Sequence, residues 1–302
     1  MDNLYNRLNE YYKNKFGERV LKICVDGGFT CPNRDGTKGV DGCIFCSERG
    51  SGEHIKYRDV SNQIAEHLAS YRGQRANKFI VYFQNFSNTY ANIEKLKSVY
   101  DKAFVSDKIV GISIATRPDC INNEVVNLLK EYNKKIFVSV ELGLQTADDN
   151  IMNILNLKYT VKDFKMAVSL LKDAGINIVA HMMLGLPQES KESIDNTIEL
   201  INDLGVDGIK IHNTYVVKNT KLEELYIKGL YKPLELNEYI EKLGYVLARL
   251  SPDIVIHRLS GDAEKDKLVA PDWDLHKKWI VNGITKYLKD NNLKQGVLYK
   301  SA

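Results

Sequence analysis

The sequence predicts an α/β fold, a partial (β/α)6 barrel carrying an α/β extension at its C-terminal end. Three observations lead there. From Val20 onward, short apolar runs alternate with amphipathic stretches of helical period, the pattern of a parallel sheet with crossover helices. Gly175 and Gly205 fall where helix C-caps are expected. Polar and charged motifs recur at the C-terminal ends of the apolar runs, where the βα loops of a barrel converge on its active face.

Taken in order, Leu4 to Phe16 reads as a helix with tyrosines on one face, placed to pack under the barrel or to touch substrate. The strand candidates are 20–25, 79–84, 109–115, 136–142, 176–184 and 208–212. Helix candidates lie between them at 60–71, 92–104, 122–132, 161–174 and 191–204. Beyond the sixth strand, 220–250 reads as helices around Gly229 and Pro233, followed by a strand candidate at 254–257 and a last helix over 275–288. The expected organisation is an N-terminal helical segment (1–19), a barrel (20–219) and a C-terminal extension (220–302) that closes its open side.

A chain of 302 residues, 44% hydrophobic and 27% charged, has ample material for one large core. Its net charge of +3 is weak evidence about partners, since an ordinary soluble enzyme carries it as easily as a tRNA binder. Five cysteines, an odd number with no disulfide-like spacing, argue for a reducing compartment. The first twenty residues lack the apolar core of a secretory signal, and no run approaches a membrane span. The expectation is a cytoplasmic protein with no membrane partner.

The stretch that carries most chemistry is CPNRDGTKGVDGCIFC, residues 31–46. A Cys-x-x-Cys turn aims Cys43 and Cys46 at one point, and Cys31 returns through the Gly-rich loop 36–42 as a third thiol. Two chemistries share this spacing. Three thiolates on a [4Fe-4S] cluster leave one iron open for a small chelating molecule; structural zinc would take Cys24 or His54 as its fourth ligand.

Phe45 before the last cysteine, and the position of the loop after a first strand, make the chain resemble the radical S-adenosylmethionine (SAM) enzymes. Their usual cysteine spacing is shorter, three residues and then two; the longer first gap here is similar to that of the branch related to the Elongator catalytic subunit. Within it the chain resembles the YhcC/YtqA-like (MnmL-like) group, through VDGGFTCPNRDG, GCIFC, ATRPDC, ELGLQT, GLP, GIKIH and HRLSGD. These stretches run from about residue 20 to 275. The resemblance implies a TIM-type partial barrel, a [4Fe-4S] cluster on Cys31, Cys43 and Cys46, and SAM as cofactor.

It also implies roles at the strand ends. In place of the usual Gly-Gly-Glu turn after the second strand stand Gln84, Asn85 and Ser87, either acceptors for the cofactor's ammonium or a plain Asn/Ser turn. Arg117 either meets a carboxylate or phosphate or pairs with Asp119, and Cys120 is expected to be a buried thiol. Glu141 lies inside an apolar run and needs a hydrogen-bonded or charged reason to be there. The resemblance places it and Gln145 beside the cofactor. Many relatives carry a carboxylate-binding arginine about twelve residues on; here that place holds Leu157, with Lys158 as the expected substitute. Met183 and Leu184 are candidates for the adenine cradle, although a Met-Met-Leu run also suits plain core. Lys210 and His212 share one face of the sixth strand and, if it faces inward, look at the substrate. His181 faces in or out according to a register the sequence leaves open. His257, Arg258 and Asp262 are expected in substrate recognition or in a clamp closing the barrel.

The reaction implied is reductive cleavage of SAM by the cluster, giving a 5′-deoxyadenosyl radical that takes a hydrogen atom from substrate, with an electron donor such as flavodoxin or ferredoxin. The branch implies tRNA as partner and the C5 side chain of the wobble uridine as target, for example conversion of carboxymethylaminomethyl-uridine to aminomethyl-uridine. The chain ends before an Elongator-like acetyltransferase domain, so the expectation is radical work on a side chain already attached. Two rivals are a coproporphyrinogen-dehydrogenase-like or haem-handling protein and a zinc-stabilised RNA-binding module.

Overall fold

The computed structural model describes residues 4–50, 55 and 58–300; His54 lies outside them. Helix α1 (Leu8–Phe16) leads into strand β1 (Val20–Val25). There follow α2 (Val60–Ala69), β2 (Lys78–Phe83), α3 (Ile93–Asp101), β3 (Ile109–Thr116), α4 (Asn123–Asn133), β4 (Phe137–Gln145), α5 (Asp149–Ile154), α6 (Val161–Asp173), β5 (Asn177–Leu184), α7 (Lys191–Leu204) and β6 (Gly208–Asn213). The tail contains β7 (Val216–Val217), α8 (Lys221–Ile227), α9 (Leu236–Arg249), β8 (Val255–Arg258), β9 (Leu268–Ala270) and α10 (Lys277–Asp290).

The helices start where their sequences supply caps. Asn92 and Asn122 accept from the backbone of Lys95 and Val125, and Thr160/Asp163 and Ser190/Ser193 form reciprocal boxes at the heads of α6 and α7. Gly205 ends α7 in the left-handed conformation.

Among the described residues the strands build one seven-stranded parallel sheet in the order β1-β2-β3-β4-β5-β6-β8, curled as a half-barrel, and a two-stranded antiparallel ribbon of β7 and β9. Six strands are those expected from the alternation. The seventh is the candidate at 254–257, which pairs parallel with β6 through Gly208↔Val255. Strands β7 and β9 were not foreseen, being too short to show a period.

Because side chains alternate along a strand, each strand sends one set out to the helices and one into the barrel. The outward set is apolar and buried, as with Val138, Val140, Leu142 and Leu144 of β4 and Ile209 and Ile211 of β6. The inward set includes Ser113, Glu141, His181 and Lys210, one residue from each of β3 to β6. Helix α1 packs beneath, where Tyr12 joins Val20 and Ile80 with Val110 and Phe137 at the strand starts. The helix thus packs against the strand starts, while its Leu8 also lines the cavity of the barrel.

Candidate active site

The loop after β1 brings the three cysteines to the open end of the barrel. Tight turns close it at Arg34 N to Cys31 O (2.9 Å) and Cys46 N to Cys43 O (3.0 Å). Asn33, fully buried, donates to the Asn156 carbonyl (2.6 Å) and to the Cys43 sulfur (3.8 Å), while Asn156 donates back to the Gly42 carbonyl (2.7 Å). Backbone bonds from Ile44 to Leu155 and from Leu222 to Ile44 tie the loop to the α5–α6 connection and to α8. Gly42 has φ of +72°, a turn that a side chain would strain and that would press its Cβ against Arg34. Arg34 in turn donates to the carbonyls of Cys46 (3.0 Å) and Ser47 (2.5 Å).

Cys31, Cys43 and Cys46 all line a single cavity of about 380 Å³ that runs from the loop down into the barrel. A hydrogen bond from Cys46, with the Arg117 guanidinium nearby, pulls the Cys43 thiol down to about 7, and the same bond pushes Cys46 up. Arg117, at the end of β3, spends Nε and Nη2 on Asp119 (2.9 and 2.8 Å), which Lys38 also reaches (2.6 Å). Its third nitrogen, Nη1, is buried and has no partner, and its guanidinium lies 4.8 Å from the Tyr159 ring centre. Burial works against the Arg117 charge, yet Asp119 holds its pKa above the usual range. Gln145 closes β4 with φ of +68°, beside Tyr159.

Deeper, Glu141 is fully buried and shared by four groups. Its Oε1 accepts from Lys22 (2.6 Å) and Ser113 (2.8 Å); its Oε2 meets His181 (2.9 Å) and the Lys210 ammonium. Burial alone would raise the Glu141 pKa, but Lys210 and Lys22 hold it well below the carboxylate range. Two ammoniums on one carboxylate cannot both be fully compensated. Lys22 stays charged, its pKa raised by Glu141 against the pull of burial, whereas burial lowers Lys210 to about 7. Burial also lowers His181, His212 and His257, the last two well below the usual imidazole value.

The cavity gathers most of the residues singled out in the sequence. Phe45, Gln84, Ser87, Arg117, Glu141, Gln145, Met183, Lys210, His212, His257, Arg258 and Asp262 line it beside the cysteines. Three do not. Asn85 is buried and donates to Asp26 (3.0 Å); Leu184 sits on the outward register of β5; Lys158 is exposed with φ of +59°. Leu157 is core. Cys24 lines the cavity as well, and Cys120 is buried as expected. His181 faces inward. Sequence reasoning passed over Lys22, although a lysine inside the apolar run VLKICV carries the same signal as Glu141 in its own run. It also missed Tyr82, Tyr159, Asn33 and Asn156, whose roles depend on contacts far along the chain.

Among the described residues no three His, Cys, Asp or Glu side chains close around one point as a single metal ion requires. A cubane makes no such demand, since each thiolate binds a different iron. Three thiols on one wall, one of them lowered, and a buried cation with an unused donor beside them suit an anionic sulfur-ligated group.

The pattern of the radical SAM superfamily matches residues 30–201, and that of the radical SAM C-terminal domain matches 206–290. The chain belongs to the radical SAM superfamily, whose cofactors are a [4Fe-4S] cluster and SAM. That settles the choice the cysteine spacing left between iron–sulfur and zinc. It is 34% identical to the uncharacterized protein YtqA of Bacillus subtilis, over 98% of this chain and 93% of that one. It is 32% identical to the protein YhcC of Escherichia coli, over 99% and 96%. Elongator complex protein 3 of Saccharomyces cerevisiae is 32% identical over 51% of this chain and 28% of its own length. Among solved structures, the archaeal Elp3 of Methanocaldococcus infernus has the same fold with a TM-score of 0.67 at 20% identity, covering 91% of this chain and 64% of that one. Among the described residues no helix is long and apolar enough to cross a membrane.

Proposed function

We propose that this chain is a tRNA-modifying radical SAM enzyme that acts on the C5 side chain of the wobble uridine, with conversion of carboxymethylaminomethyl-uridine to aminomethyl-uridine as the leading reaction. The observation that carries this reading is a single cavity with thiols at its mouth and a cationic floor, in a chain half of which is 32% identical to Elongator complex protein 3. Cys31, Cys43 and Cys46 would hold the cluster. Gln84, Ser87, Gln145 and Met183 line the space beside it and would hold the cofactor, with the free Nη1 of Arg117 offering a donor to an anionic group. When bound, the cluster and SAM supply a 5′-deoxyadenosyl radical that takes a hydrogen atom from an unreactive carbon. The protein's part is to exclude water, orient the substrate side chain and deliver an electron from a donor such as flavodoxin or ferredoxin.

The test has two arms. Protein reconstituted without oxygen should be brown and, when reduced with SAM, should form 5′-deoxyadenosine and methionine; a Cys43→Ala protein that kept this cleavage would sink the site assignment. Mass spectrometry of tRNA nucleosides from cells with and without the gene should show carboxymethylaminomethyl-uridine accumulating in its absence. Unchanged wobble uridines would remove the tRNA reading while leaving the radical chemistry intact.

A further inference from the structure

We infer that the floor of the cavity is a built anion site, at which Lys210, beside Lys22, takes a carboxylate at the end of the substrate's side chain. The inference rests on the cavity being the substrate site and specifies what that substrate must carry.

The first ground is charge. Seven lysine and arginine side chains line the cavity among the described residues, against three carboxylates. At the floor the imbalance is starkest: Glu141, from β4, faces Lys22 from β1 and Lys210 from β6, with Arg258 of β8 acting on Lys210 from the same side. Arg258 itself lies 3.6 Å from Asp262, which Lys277 also engages at 2.5 Å, so the carboxylate above the floor is already taken. A cation held in low dielectric without a full counter-charge is expensive, and a second anion would relieve it.

The second ground is hydrogen bonding. His212 Nε2 and His257 Nδ1 are buried and without partners, and both rings line the cavity next to the two lysines. Buried polar atoms are almost always paired. Lys22 uses two of its donors on Glu141 and Ser113; Lys210 bonds Glu141 and rests 4.2 Å from the Tyr82 ring centre. Each ammonium has three donors; Lys22 also meets the Tyr12 hydroxyl, so the spare capacity for a further acceptor lies with Lys210. The lowering of Lys210 to about 7, caused first by its burial, is what an ammonium short of counter-charge shows.

The third ground is distance. Glu141 and Gln145 of β4 both line the cavity, and four residues of strand span at most about 13 Å, less where the register shifts between Gly143 and Gln145. A base held partway down the cavity, with its C5 side chain pointing inward, would bring the far end of that side chain to the lysines. In this arrangement Glu141 is a positioning residue, fixing the two ammoniums rather than touching substrate.

The test uses the reconstituted holoprotein and two anticodon stem-loops that differ in one group, carboxymethylaminomethyl-uridine and its neutral carboxamide. Wild-type protein should bind the carboxylate probe at least about 10-fold more tightly, the size of one charge-assisted hydrogen bond. Lys210→Met should erase that preference; equal binding of both probes by the wild type, or a preference that survives in the variant, would overturn the inference. A second arm needs no RNA. Acylation of the Lys210 amine by a small reagent, followed by peptide mass spectrometry, should be slowed several-fold by acetate and not by chloride at equal ionic strength. No protection, or stronger protection by inorganic phosphate than by acetate, counts against a carboxylate site. If neither stem-loop binds, the tRNA reading falls and the acylation arm still decides the anion site.

Discussion

Replacing Glu141 with glutamine keeps the shape of the side chain and removes its charge. In the wild type that charge is shared by Lys22 at 2.6 Å and by Lys210, with Ser113 and His181 completing its hydrogen bonds, and the carboxylate is fully buried. Breaking a buried pair by removing one partner costs about 3–5 kcal/mol, because the other charge is left in low dielectric. At about 2.1 cal/mol/K per residue, a chain of 302 residues loses about 5–8 °C of Tm for that amount. A matched control is available: Lys134 and Glu131 also lie 2.6 Å apart, but with side chains 61% and 65% exposed. Solvent screens such a pair, so Glu131→Gln should leave Tm within the scatter of the measurement. Thermal unfolding followed by circular dichroism at pH 7 measures both. A Glu141→Gln protein that melts with the wild type would show that the buried cluster is not electrostatically organised as described.

Two further predictions concern acid stability and the cluster loop. His181, His212 and His257 titrate below the ordinary imidazole value in the folded chain, so below about pH 6.5 the unfolded chain binds protons that the folded chain refuses. The histidines' share of stability is therefore kept above that pH and falls beneath it, by up to about 1.4 kcal/mol per pH unit for each, with Glu141 adding its own loss only below the ordinary carboxylate range. Urea unfolding of the metal-free chain at pH 7.5, 6.5 and 5.5 checks this, and equal midpoints at the two lower values would contradict it. Asn33→Ala removes the buried bond to the Asn156 carbonyl and the contact with Cys43, and should destabilise the loop by about 1–3 kcal/mol. The expected readout is a lower iron content after reconstitution, with a wild-type iron content as the contrary result.

Local chemistry accounts for what was legible in advance. Strand β1 and helix α7 fall on the residues expected from their periods, and the other main elements lie within a few residues of expectation. The cysteine loop was equally legible, because Cys-x-x-Cys is a local turn and the third thiol returns through a short glycine-rich segment. Glu141 announced itself as a charge inside an apolar run. Lys158 shows the opposite case: the resemblance offered it as the substitute for a carboxylate-binding arginine, but it stands exposed with a left-handed backbone.

What the sequence alone determined about this protein is its family, its parallel α/β class and the three thiols of one loop, all written in short-range patterns. Only the tertiary structure decided that His181 faces inward, that β8 joins the sheet, and that Lys22 and Glu141, 119 residues apart in sequence, share one buried ion pair. The reason is physical. The period of a strand says which residues share a face, while the curl of the sheet and the pairing of distant strands choose which faces meet.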